Sequence, residues 1–142
     1  MFDTPAAQIG AFFVVVICGF AFLKGDDTER IGGGAYILGW FASLLVQNDV
    51  GIYRDQIGLV ILDVLMLIVL AALAWKSRRA WPFWAAGFQL LSVMSHIIAQ
   101  VDVRPPAMAF ITVLNMSGYG VLIALAVGTF WAWQERRAAG LE

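Results

Sequence analysis

Apolar residues run through this chain in five blocks separated by short polar stretches. The blocks lie at about 6–23, 31–47, 57–75, 81–101 and 107–133. The third is the clearest: nineteen residues from Ile57 to Trp75 whose only ionisable side chain is Asp63, followed at once by Lys76, Arg78 and Arg79. At 1.5 Å per residue it spans roughly 28 Å, about the thickness of a bilayer's hydrocarbon core. Backbone polar groups in hydrocarbon must be satisfied within their own segment, so each block is expected to be a helix. The second block is at the short limit for a spanning helix. The stretch from Lys24 to Arg30 carries so many charges that it is expected in water. The two prolines at 105 and 106 mark a helix stop and restart.

Basic residues orient the blocks. With the N-terminus outside and the C-terminus in the cytoplasm, the inner segments carry Lys24, Arg30, Lys76, Arg78, Arg79, Arg136 and Arg137. The outer segments then carry only Arg54 and Arg104, the bias of the positive-inside rule. Trp75, Trp81, Trp84, Trp131 and Trp133 fall near the inner ends of blocks three, four and five, where aromatic belts sit, while Trp40 lies mid-span. The expected fold class is therefore an all-α integral membrane protein: one compact bundle of five transmembrane helices, residues 1–142, N-terminus outside. The N-terminus has no basic region before its apolar block, so that block is expected to remain as a helix rather than leave as a signal peptide.

Composition agrees. Of 142 residues, 61% are hydrophobic and 13% charged, about half the charge of an ordinary soluble domain. The net charge of −1 and the lack of a basic arm exclude nucleic acid as a partner. The expected partners are membrane lipids, other membrane proteins, or a second copy of the chain. The one cysteine, Cys18, rules out an intrachain disulfide and reads as a small buried hydrophobe. No cofactor and no metal are expected: His96 is the single histidine, too few for a bis-histidine haem, and a zinc site around it would lack ligands. Neither a Walker loop, a nucleophile elbow nor a dinucleotide fingerprint occurs in a suitable context.

Polar residues inside the blocks are the candidates for chemistry. Asp63 is roughly 9 Å in from the outer end of its helix, His96 roughly 8 Å, and Asn115 roughly 12 Å. Three helices thus place one strongly polar side chain each in the same outer half. Gln89, Ser92, His96 and Gln100 recur at spacings of three, four and four, which puts them on one face of the fourth helix. Thr112, Asn115 and Tyr119 do the same on the fifth. Both stripes are expected to face the bundle interior, because lipid offers them no partner. Gln8, Ser43 and Gln47 can join them. As a functional site these residues would form a proton-responsive pair, Asp63 with His96, or a pocket for a small ligand. As a structural device they would be fasteners between helices, each worth about 1 kcal/mol or less.

Gly32, Gly33, Gly34 and Gly39 leave one side of the second helix nearly bare, allowing close approach by another helix of the bundle or by a second protein. From the residues alone, the leading expectation is a non-enzymatic accessory or assembly subunit of a complex in a bacterial inner membrane. A small transporter or sensor built around Asp63 and His96 comes second. An enzyme acting on a lipid or quinone comes third, since one histidine and one buried acid make a thin catalytic set.

Overall fold

The computed structural model of the chain describes residues 4–47, 57–101 and 106–141. They form five α-helices: α1 (Pro5–Lys24), α2 (Asp27–Gln47), α3 (Ile57–Ser77), α4 (Trp81–Gln100) and α5 (Ala107–Ala138). The fold class is all-α, and α1, α3, α4 and α5 are each long and apolar enough to cross a membrane. The second helix, with Asp27, Glu29 and Arg30 in its opening turns and a run of glycines after them, is not among these. Arg54 and Arg104, assigned above to the outer segments, lie outside the described residues, as does Pro105.

Local chemistry sets the helix ends. Thr4 caps α1, its hydroxyl accepting the Ala7 N–H at 3.3 Å, and Pro5 takes the first position, where a missing N–H costs nothing. Pro82 takes the second position of α4, where the missing N–H also costs nothing. Helix α2 begins at Asp27, four residues before the apolar block. Asp26 fills the cap position, its carbonyl accepting the Arg30 N–H at 2.9 Å. Glu29 returns the favour, taking the Asp26 N–H at 2.9 Å, which is one half of a capping box. Helix α5 likewise continues past Trp133 to Ala138.

Helices adjacent in the chain are adjacent in space, α5 closes the ring on α1, and α2 also touches α5 across the middle. Arg79 and Arg136 both meet Asp26, so the α1–α2 turn, the α3–α4 turn and the last turn of α5 share one pole, here the basic end. The core lies along α5, where Val121, Leu122 and Leu125 pack with Cys18 and Ala21 of α1, Leu70 of α3, and Trp81 and Ala85 of α4. Large apolar side chains also face outward on every helix, among them Phe12, Leu38, Leu65, Trp75, Phe83 and Met108.

The glycines of α2 serve this packing. Gly33 lies against Ala21, Cys18 and Leu125, Gly34 against Phe22, and Gly32 against the Trp81 indole; Gly39 has no side chain within 4 Å of where a Cβ would sit. On α5, Gly120 and Gly128 let the rings of Phe88 and Trp81 sit directly on the helix backbone. Trp81 is therefore 5% exposed and part of the core, not of an aromatic belt. Trp75, Trp84 and Trp131 do face outward near the basic end.

Candidate functional site

Asp63 projects from the second turn of α3, and three donors reach it from a single face of α4. Gln89 Nε2 donates to Oδ1 at 2.9 Å and, at 3.3 Å, to the Asp63 backbone carbonyl. Ser92 Oγ donates to Oδ2 at 2.8 Å. His96 Nε2 lies 3.0 Å from the same oxygen, an ion pair whenever the imidazole is protonated. The spacing of three and four residues is what lets one helix face supply all three. The edge of Phe110 on α5 meets the imidazole at a centroid distance of 5.5 Å, so aromatic packing fixes the ring from the other side.

The cluster lines a cavity of about 190 Å³ between four helices. Helix α2 contributes Tyr36, Gly39, Trp40 and Ser43, α3 adds Leu59, Leu62 and Met66, and α5 adds Leu114 and Gly118. The Asp63 side chain keeps 24% exposure, so the carboxylate is held by α4 yet reachable from the cavity. Tyr36 bridges the far wall by donating its hydroxyl to the Gly118 carbonyl at 3.2 Å, and Ser43 donates to the Trp40 carbonyl at 2.7 Å. Such a volume holds a few water molecules or one small solute. With a carboxylate, an imidazole, an amide and hydroxyls on its walls, it can bind a small polar group or exchange a proton.

The remaining candidates lie elsewhere. Asn115 and Thr112 are exposed on the outer side of α5, and Thr112 donates back to its own helix at the Met108 carbonyl, 2.7 Å away. The expectation that this stripe faces the interior is therefore corrected. The residues of α5 that turn inward there include Phe110, Leu114, Ser117 and Gly118, and Thr112, two residues past Phe110, is about 200° around the helix from it. Tyr119 packs its ring edge-on against Phe13 at 6.2 Å, beside α1 rather than in the cavity. Gln100 is the exposed last residue of α4, and Gln8 is exposed on α1. Ser43 lines the cavity; the side chain of Gln47 lies outside the described residues.

A second polar cluster occupies the basic end, where the charged link was expected in water. Glu29 is instead fully buried. Trp81 Nε1 donates to its Oε1 at 2.9 Å, the Asp26 N–H to its Oε2, and the Arg79 guanidinium lies 3.5 Å away. Asp26 accepts from Arg79 at 2.7 Å and from Arg136 at 2.5 Å, and Arg136 also donates to the Gly25 and Lys24 carbonyls. Buried carboxylates are sustained only by such pairing. The α1–α2 turn, the α3–α4 turn and the end of α5 are thus tied at one point. One sequence signal could have located it: Asp26 followed three residues later by Glu29. Tyr36 was also overlooked, as was Ser117, whose buried hydroxyl has no hydrogen-bond partner among the described residues.

The described residues thus form a helical bundle in which four helices are apolar enough to cross a membrane, with a polar cavity between α2, α3, α4 and α5. Comparison with protein-family models, with curated proteins and with solved structures gives no match.

Proposed function

We propose that the protein is a multi-pass, non-enzymatic membrane protein that binds protons together with a small polar solute in the Asp63 cavity, as a small transporter or sensor. In this reading it sits in a bacterial inner membrane with its basic end in the cytoplasm and the Asp63 cavity in the opposite half of the bilayer. The apolar outward faces and the four long helices support a bilayer location, since a water-exposed surface of this kind would aggregate. One observation carries the functional part: a single intramembrane carboxylate, aligned by three donors on one helix face, remains open to a cavity. Ionisable groups inside spanning segments mark ion and solute paths more often than not.

The test is the tryptophan emission of reconstituted protein, to which the cavity-lining Trp40 contributes, followed as the pH is varied. A pH-dependent change that Asp63→Asn and His96→Ala both abolish, in folded protein, is the expected result. Identical titrations in all three proteins would end this reading.

A second reading, the accessory or assembly subunit, draws on Asn115. Its amide and the Thr112 hydroxyl face outward on α5, where lipid cannot satisfy an amide but a partner helix can. The glycines of α2 give less support, because Gly32, Gly33 and Gly34 lie against helices of the same chain. Co-purification at fixed stoichiometry, lost on Asn115→Leu, supports this reading; a lone monodisperse protein counts against it.

A further inference from the structure

A cavity of about 480 Å³, larger than the one at Asp63, opens on the outer side of the bundle between α4 and α5. Its floor is where Phe88 and Trp81 sit on Gly120 and Gly128, and its walls are apolar, including Val127 and Trp131. From Gly120 to Glu135 it runs fifteen residues along α5, roughly 22 Å. In a bilayer that is the distance from near the midplane to the headgroup level of one leaflet. The charges are confined to the basic end, where Arg79 and Glu135 form the mouth.

We infer that this groove holds one acyl chain of a phospholipid whose headgroup carries a primary amine, the phosphate at Arg79 and the ammonium at Glu135. The inference rests on the bilayer location proposed above and is independent of the Asp63 cavity. The charges at the mouth choose the headgroup. The groove itself carries one charge of each sign at its mouth, the Arg79 guanidinium and the Glu135 carboxylate. A headgroup that carries both a phosphate and an ammonium meets both charges, whereas a purely anionic headgroup leaves Glu135 facing a like charge. Arg79 has donor capacity left: Nη2 is bound to Asp26 at 2.7 Å, but Nη1 has its carboxylates at 3.5 and 3.7 Å, too far for good hydrogen bonds. Glu135 is 68% exposed, and among the described residues its ion pair is that long one, so its carboxylate is available to an ammonium.

Native mass spectrometry of the detergent-purified chain, offered phosphatidylethanolamine, phosphatidylcholine and phosphatidylglycerol in turn, tests this. One phosphatidylethanolamine per chain is expected, retained about fivefold better than phosphatidylcholine, the size of one exposed ion pair. Val127→Trp, which fills the groove from a half-exposed position, should release the lipid with the melting temperature unchanged. Glu135→Gln should remove the preference over phosphatidylcholine while a lipid is still retained. Equal retention of the three lipids, preference for phosphatidylglycerol, or retention unaltered by Val127→Trp would each overturn the inference. Whether detergent rather than salt extracts the chain from membranes tests the bilayer location separately.

Discussion

Trp81 and Glu29, 52 positions apart in the chain, meet inside the bundle, where the indole N–H donates to the carboxylate at 2.9 Å. The bond joins the first turn of α4 to the first turn of α2. It also explains how a carboxylate can be wholly buried beside an apolar core, since the same group takes the Asp26 N–H and faces Arg79. Trp81→Phe keeps the ring over Gly128 but removes the donor, and it should destabilise the fold by about 1–3 kcal/mol. Glu29→Ala takes the acceptor from both the Trp81 indole and the Asp26 N–H, while Arg79 keeps Asp26, and it should cost more, about 2–4 kcal/mol. Thermal unfolding in detergent ranks the two, and a Trp81→Phe protein as stable as the parent would mean that this bond does not hold the helices together.

The two clusters differ in how far the sequence reveals them. The apolar blocks reproduce α3 closely and α1 and α4 to within a residue, because there the apolar run and the helix end together. They miss the start of α2 and the end of α5, where a polar turn continues the helix beyond its apolar part. Gln89, Ser92 and His96 were legible because their spacing defines a face and Asp63 lies at the same depth. Thr112, Asn115 and Tyr119 share a face equally well, but spacing says only that residues point the same way. It does not say toward what. The bond between Glu29 and Trp81 was illegible because it depends on two turns arriving at the same pole.

Gly120 and Gly128 on α5 should respond to a methyl group in the opposite way to Gly39 on α2. A Cβ at Gly120 would lie 2.5 Å from Phe88 Cδ1, and one at Gly128 would fall inside the Trp81 indole. Gly120→Ala and Gly128→Ala should each lower stability by about 1–3 kcal/mol through overpacking. Gly39→Ala meets nothing within 4 Å and gains helix propensity, so it should be neutral or stabilising by about 0.5–1 kcal/mol. Melting temperatures of the three variants decide it; a destabilised Gly39→Ala would point to a close neighbour outside this chain.

Arg78 has φ 55°, the left-handed region, in the turn between α3 and α4. That conformation lets the chain reverse in three residues and carry Arg79 back to Asp26. An ordinary side chain is strained there by about 1–2 kcal/mol, which offsets the chain entropy that glycine would lose. Arg78→Gly should therefore be at least as stable as the parent. Arg78→Val, branched at Cβ, should be less stable by about 1 kcal/mol or more. Equal loss in both variants, measured by chemical denaturation in detergent, would indicate that the Arg78 side chain matters more than its backbone.

The Asp63 cluster can be separated from the fold by choosing what replaces the carboxylate. Asp63→Asn keeps an oxygen for Ser92 and His96, and the Gln89 amide can turn over to meet the new NH₂ group. Stability should fall by about 1 kcal/mol or less, while the charge available to a ligand is lost. Asp63→Leu takes the carboxylate away from buried Gln89, Ser92 and His96; Gln89 keeps its longer bond to the residue-63 carbonyl and the Ser92 hydroxyl loses its acceptor, so it should cost about 2–4 kcal/mol. Adding Ser92→Ala to Asp63→Leu removes that stranded hydroxyl and should recover part of that loss. If Asp63→Leu unfolds no more easily than Asp63→Asn, the hydrogen bonds are not holding α3 to α4. Their alignment of the carboxylate toward the cavity would then be what remains to explain them.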